Sequence, residues 1–235
     1  MTPGRGQGRP ALSIIIPTLN AAADLPRTLA TLEGAIAAGD EVIIVDGGSH
    51  DGGPDLARAR GLTVIDSPPG RGVQLDAGAR AARGQALLFL HADTAPGPGW
   101  RQAALDHLAA PGGAERAACF DFALDDPSPR ARRLEWWVSR RVRWLALPYG
   151  DQGLLISRAL YEAIGGYRPL PLMEDVDLVR RLGRRRLARL AVPAVTSARR
   201  WRQDGWLARS ALNLLCLGLF LVGVPAARIA RLYGR

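Results

Sequence analysis

The sequence predicts an α/β protein built on a mostly parallel, Rossmann-like sheet flanked by helices, and three observations lead there. Short apolar runs recur at residues 12–16 (LSIII), 41–45 (EVIIV), 62–65 (LTVI) and 86–90 (ALLFL). Runs that are apolar at successive positions, rather than alternating, belong to strands covered on both faces. Segments with helical spacing or composition lie between them, so strand–helix–strand units follow one another with right-handed crossovers. The chain has 235 residues, 48% of them hydrophobic, which suits one such domain and excludes intrinsic disorder. Cys119 and Cys216 are its only cysteines, too few for a disulfide scaffold or a thiolate metal cluster.

Residues 1–11 (MTPGRGQGRPA) read as a flexible leader without the apolar segment of a signal peptide, which implies a cytoplasmic domain. The first strand is closed by Pro17. Leu25, Leu29, Leu32 and Ile36 then predict one helix, with Asp24 as N-cap, Pro26 in the first turn and Gly39 as its stop. The second strand runs into the Gly-rich turn 46–53, and an Ala-rich helix over 72–83 joins the third strand to the fourth. In such a sheet, ligands bind beyond the carboxyl ends of the strands. Those ends read PTLN (17–20), DGGSHDG (46–52), DSPPG (66–70) and HADT (91–94). They describe a polar pocket for a sugar, a nucleotide or a metal–phosphate pair.

The formal net charge is +9, and all 31 cations are arginine. Residues 1–126 carry ten arginines against fifteen carboxylates, and residues 127–235 carry 21 against seven, so an acidic half precedes a strongly basic one. Arginines around Trp136, Trp137 and Trp144 suggest single-stranded nucleic acid. Helical spacing instead gathers Leu134, Trp137, Val138, Arg141 and Leu145 on one mostly apolar face, and no nucleic-acid-binding motif is present, so a nucleic-acid partner is excluded. Residues 211–227 (ALNLLCLGLFLVGVPAA) form an uncharged stretch flanked by arginines. Its length is at the lower limit for a membrane span. It reads as part of a C-terminal apolar extension lying on or dipping into the cytoplasmic leaflet of the cell membrane, the other reading being a buried helix.

Four motifs in order, SIIIPTLN (13–20), VDGGSHDG (45–52), LFLHADT (88–94) and MEDVDL (173–178), resemble those of family 2 glycosyltransferases with the GT-A fold. The match is most similar to a bacterial branch reading FLHADT, YGDQG and PLMEDV. The resemblance implies a flexible leader (1–11), a GT-A glycosyltransferase domain (12–203) and C-terminal apolar, membrane-associated helices (204–235). It also implies a nucleoside diphosphate sugar as donor and Mg²⁺ or Mn²⁺ as cofactor, held by one or two carboxylates plus the phosphates. Asp93, at the last position of the family's DxD motif, is then the metal ligand, with His91 standing where the family has its first aspartate. Asp46 contacts the base or ribose, and Gly47 replaces a second aspartate. Pro17, Thr18, Asn20, Gly48 and Ser49 complete the nucleotide side, and Arg71 is placed to reach a phosphate, as is Arg83.

Inverting transfer needs a carboxylate to take the acceptor's proton. Glu174 and Asp175 resemble the family's ED motif, which assigns Asp175 as base, and Asp151 in YGDQG is the rival base or an acceptor-binding residue. Asp177 reads as a partner of Arg180 or Arg181. SARRW (197–201) is similar to a QxxRW motif, which would let Arg200 clamp the diphosphate and Trp201 stack on a sugar, with Ser197 replacing the glutamine. The expected function is an inverting, metal-dependent glycosyltransferase acting on a hydroxyl acceptor that is lipid-linked or lipophilic. The alternatives are a nucleotidyltransferase, disfavoured by the loop TLNAA (18–22), and a non-catalytic, membrane-associated sugar-nucleotide-binding protein.

Overall fold

The structure, a computed structural model, describes residues 11–234. All of the expected leader except Ala11 therefore falls outside the described residues.

Strand β1 (Leu12–Thr18) leads through α1 (Leu25–Ala30) and α2 (Glu33–Ala37) to β2 (Glu41–Asp46), then through α3 (Gly53–Ala59) to β3 (Thr63–Asp66). Helix α4 (Arg71–Ala81) returns the chain to β4 (Ala86–Phe89). These four strands are parallel, in the order β3-β2-β1-β4. Their residues alternate between two cores, which is why the runs are apolar throughout. Ile14, Ile16, Val42, Ile44 and Leu88 pack with Leu25, Leu29 and Leu32 on one face. Ile15, Ile43, Val45, Leu87 and Phe89 pack with Leu75 and Ala79 of α4 on the other. Burying each such side chain fully stabilises the fold by about 1.5–3 kcal/mol.

The single helix expected over Leu25–Ile36 is two helices. Trp100 donates its indole N–H to the Thr31 carbonyl at 3.0 Å, and Thr31 Oγ1 donates to the Thr28 carbonyl at 2.7 Å. The Thr31 carbonyl is thereby taken from the next turn, and the helix restarts at Glu33. Asp24 stands at the N-cap without a capping hydrogen bond; its carboxylate pairs with Arg199 at 2.7 Å.

The rest of the sheet is mixed. After β5 (Thr94–Pro96) come α5 (Trp100–Ala109), β6 (Ala117–Leu124), α6 (Pro129–Leu145), β7 (Leu154–Ser157), α7 (Arg158–Ala163), α8 (Glu174–Leu182) and β8 (Leu187–Thr196). The sheet continues from β4 as β7-β6-β8-β5, with β7 antiparallel to both neighbours and β6 parallel to β8. Ser128 caps α6, accepting from Ala131 N at 3.3 Å. The buried face of α6 is Ala131, Val138 and Val142 with Leu134, packed on Cys119, Phe122 and Leu124 of β6. Trp137, expected on that face, instead projects outward beside Trp136, over whose ring the Arg140 guanidinium lies at 4.4 Å. A tryptophan interleaved with arginines shares its turn of helix with solvated cations.

The chain ends in α9 (Arg199–Asp204), α10 (Trp206–Leu221) and α11 (Ala226–Leu232). Among the described residues no helix is long and apolar enough to cross a membrane. Cys216 and Leu217 of α10 pack on Leu172, Met173, Val176 and Val179 around the start of α8, together with Ile229 and Ala230 of α11. The opposite side leaves Leu207, Leu214, Leu215, Leu221 and Val222 exposed.

Candidate active site

A cavity of about 710 Å³ opens at the carboxyl ends of the parallel strands. Pro17, Thr18 and Asn20 line it from the end of β1, Arg71 from the start of α4, and His91 and Asp93 from the turn after β4. Asp151 comes from the turn before β7, Glu174 and Asp175 from the start of α8, and Arg200 and Trp201 from α9. Eleven residues expected at the site from six separated segments thus share one wall system. Asp46, Gly48 and Ser49 lie outside the lining.

Asp46 is 4% exposed and its carboxylate is spent on its own loop. Oδ1 accepts from Thr18 Oγ1 at 3.0 Å and Ser49 Oγ at 2.5 Å; Oδ2 accepts from Gly48 N at 2.9 Å and Ser49 N at 2.7 Å. Burial pushes its pKa up, but these hydrogen bonds from Ser49, Thr18 and Gly48 outweigh it and hold the group below the usual carboxylate range. Ser49 Oγ in turn accepts from Asn20 N at 2.8 Å, and Asn20 Oδ1 from His50 N at 3.0 Å. The three residues therefore position the Thr18–Asn20 wall. Gln74, which the sequence did not single out, lines the cavity and donates Nε2 to the carbonyls of Thr18 and Val45, both at 2.8 Å. A Cβ on Gly47 would sit 3.1 Å from that Nε2, so the missing second aspartate and Gln74 compete for one space.

Asp93 anchors through its backbone: its carbonyl accepts from Ser197 N at 3.2 Å. Its carboxylate accepts no hydrogen bond and forms no ion pair among the described residues. His91 packs against the Gly150 backbone, where a Cβ would come within 2.4 Å of its Nε2. Arg71 Nε lies 3.6 Å from Glu174 Oε1, and Glu174 is 1% exposed. Burial disfavours the Arg71 cation, but Glu174, Asp175 and Asp93 more than compensate and raise its pKa. The start of α4 is pressed onto the chain ahead of α8: a Cβ on Gly72 would lie 2.3 Å from the Arg168 carbonyl oxygen. That approach holds Arg71 against Glu174. Arg83 lies away from the cavity and pairs with Glu41 at 2.9 Å.

Asp175 Oδ2 accepts from Gly150 N and Oδ1 from Val176 N, each at 2.7 Å. Met173, just before the helix, holds a left-handed backbone (φ 64°), unusual for a bulky residue and stabilised here by its burial. Asp151 Oδ1 is shut off from solvent, with no hydrogen-bond partner among the described residues. Burial pushes the Asp151 carboxyl up to about 7, opposed by Arg141 and reinforced by Asp175 and Asp93. Asp177 pairs with Arg181 at 2.7 Å, as expected, and also with Arg168 at 3.2 Å. The Arg141 guanidinium lies 3.6 Å from the Tyr149 ring centroid, and burial pushes the Tyr149 hydroxyl up to about 12.

The Trp201 indole N–H is buried without a partner among the described residues, and its ring centroid is 6.2 Å from that of Phe122. Arg200 is exposed at the rim and makes no hydrogen bond or ion pair among the described residues. Tyr149 and three C-terminal residues, Arg209, Asn213 and Tyr233, also line the cavity and were not anticipated. Among the described residues no cluster of three His, Cys, Asp or Glu side chains could hold a metal ion unaided.

The sequence pattern that defines "Glycosyl transferase family 2" matches residues 13–168, two thirds of the chain. The chain belongs to glycosyl transferase family 2. The fold is accordingly the GT-A, Rossmann-like form of the α/β sheet. Validoxylamine A glucosyltransferase of Streptomyces hygroscopicus subsp. jinggangensis is 34% identical over 143 residues, covering 56% of this chain. This chain spans only 34% of that relative's length, about a third. Glucosyl-3-phosphoglycerate synthase from Mycobacterium tuberculosis, solved with Mn²⁺, UDP and glucosyl-3-phosphoglycerate, aligns with a TM-score of 0.62 and 21% identity, covering 91% of this chain and 80% of that one. A mannosyltransferase from Pyrobaculum calidifontis, solved with GDP-mannose and Mn²⁺, aligns with a TM-score of 0.62 and 22% identity, covering 80% and 57%. At these identities the likeness to the solved structures is one of fold.

Proposed function

We propose that this chain transfers a glycosyl group, with inversion, from a nucleoside diphosphate sugar to an acceptor hydroxyl. The observation that carries the reading is the lining of one strand-end cavity by Asp93, whose carboxylate is unbonded, together with Asp151 and Asp175. Such a site suits Mg²⁺ or Mn²⁺, because an oxygen-ligated cation takes one or two protein carboxylates and draws the rest of its ligands from the phosphates. When bound at Asp93, the cation would neutralise charge developing on the diphosphate leaving group.

The chain's own residues do the remainder. Thr18 and Asn20, framed by Asp46, Gly48 and Ser49 and adjoined by Pro17, form the nucleotide wall. Arg200 supplies a guanidinium for the diphosphate, and Trp201 a ring on which a sugar can stack. Glu174 fixes Arg71 and keeps its positive charge inside the cavity. His91, packed on Gly150, borders the donor position. Asp175 takes the acceptor's proton; its two backbone hydrogen bonds set its direction and leave lone pairs for the hydroxyl. Asp151, on the turn whose Gly150 N–H is bonded to Asp175, is the rival base or a residue that binds the acceptor.

The reading extends to a lipophilic or lipid-linked acceptor on the cytoplasmic face of the cell membrane. It is supported by the exposed apolar side of α10 and the Trp–Arg outer face of α6, a composition that sits well at an anionic interface. The test is calorimetry with UDP-glucose and GDP-mannose, with and without Mn²⁺, followed by NMR of the product's anomeric centre. A product with retained configuration would overturn the inverting assignment.

A further inference from the structure

Arg209 and Asn213 of α10, and Tyr233 just past α11, line the same cavity as Asp93 and Asp175, although the family match ends at residue 168. We infer that these three residues, with Trp201, form a subsite for an anionic phosphate or carboxylate group carried by the acceptor. The inference rests on the reading of the cavity as a sugar-transfer site.

Position assigns the subsite to the acceptor. Tyr233 packs in one apolar cluster with Tyr149, Leu172 and Met173. Tyr149 leads directly into Gly150 and Asp151, and Met173 into Glu174 and Asp175. The C-terminal wall is therefore built onto the two loops that carry the proton-accepting carboxylates, while the nucleotide wall hangs from β1.

Chemistry assigns the anion. The Arg209 side chain is only 11% exposed, lies 4.5 Å over the Tyr233 ring, and donates to the Tyr233 hydroxyl and, at 3.1 Å, to Asp204. Tyr233 in turn donates to Asn213 Oδ1 at 3.1 Å. This chain of bonds fixes Arg209 and consumes the acceptor atom of Asn213, leaving the Asn213 NH₂ and further Arg209 N–H groups as donors. The buried, unpaired Trp201 N–H adds another. Asp204 is half exposed, so solvent screens its pairing and the guanidinium charge is not cancelled. Donors left without acceptors in a partly buried wall call for a ligand rich in lone pairs, and a phosphate or carboxylate satisfies several at once. A soluble phosphorylated alcohol and the headgroup of a lipid phosphate share that chemistry.

The test uses the full chain saturated with UDP and Mn²⁺. Inorganic phosphate and glycerol 3-phosphate are titrated calorimetrically, and flotation is measured with phosphatidylcholine vesicles with and without dodecyl phosphate. Arg209→Gln and the isosteric Asn213→Asp are compared with the unmodified chain, with melting curves confirming that each variant folds. The expected result is binding of a phosphate probe that weakens by about tenfold or more in both variants at unchanged UDP affinity. Binding in the soluble arm identifies a free phosphate ester as the source, and binding only to doped vesicles identifies a lipid phosphate. The proposal is overturned if no probe binds in either arm, if both variants bind like the unmodified chain, or if UDP displaces the probe. UDP binding is scored separately: its absence would sink the donor reading, whereas phosphate binding lost in both variants would still carry the subsite.

Discussion

The backbone N–H of Gly150 donates to Oδ2 of Asp175 at 2.7 Å, joining the turn that carries Asp151 to the helix start that carries the assigned base. The two rival carboxylates are thus parts of one bonded unit, and substitution can separate them.

Asp175→Asn keeps a carbonyl oxygen for Gly150 but cannot take a proton. Donor affinity by calorimetry is expected to stay within about twofold, while single-turnover transfer falls by roughly 10²–10⁴-fold, the usual contribution of a general base. An Asp175→Asn protein that transfers at the normal rate would move the base to Asp151.

On the proposed reading Asp93 would hold the cation, so removing its carboxylate would remove the metal's contribution to donor binding. Asp93→Ala is expected to bind UDP-glucose or GDP-mannose no better with Mn²⁺ than without it. Metal-enhanced binding that survived the substitution would refute the assignment.

Asp151 makes stability depend on pH in the absence of metal. Its folded pKa of about 7 lies above that of an unfolded aspartate, so the folded chain holds the proton more tightly. That stabilisation is complete below about pH 4 and is lost as pH rises through 7, where a desolvated charge is forced on the fold. Asp151→Asn carries no such charge. Its melting temperature in EDTA should therefore gain on the unmodified chain between pH 5 and pH 8, by several degrees for an effect on the order of 2–4 kcal/mol. Parallel curves across that range would show that Asp151 ionises freely.

Gly72→Ala would bring a Cβ to 2.3 Å from the Arg168 carbonyl and 3.1 Å from Leu170 backbone atoms. Backbone cannot rotate aside, so α4 must shift, at a cost of about 1–3 kcal/mol. The expected readout is a lowered melting temperature together with weaker donor binding, because Arg71 moves with the helix. A fall in stability at unchanged donor affinity would detach Arg71 from the donor site.

Strands β1, β2 and β4 were legible because burial on both faces writes an uninterrupted apolar run, and the edge strand β3 kept an apolar pair, Val64 and Ile65, between exposed ends. The second half of the sheet was not. β6 is broken by Asp121, β7 is four residues long, and β8 mixes Arg189 and Pro193 into a half-buried strand, so none shows a clean period. Asp93, Asp151 and Asp175 were singled out from motifs, and the fold brings all three to the cavity wall. Asp46 was assigned to the nucleotide from the motif resemblance, and a motif does not reveal that its carboxylate bonds Thr18, Gly48 and Ser49. Asn213 stood in the sequence only as a polar flaw in an apolar stretch, and Arg209 as its flank. Their place at the cavity comes from the packing of α10 and α11 on α8, a contact between segments distant in the chain.

Every cation of this chain is an arginine, and a guanidinium keeps its charge at any working pH. The arginine side of the cavity is therefore electrostatically constant over the working pH range. The absence of lysine also leaves no side-chain amine in the cavity for aldehydes or acylating reagents to find. Activity lost to such a reagent would have to be traced to chemistry elsewhere.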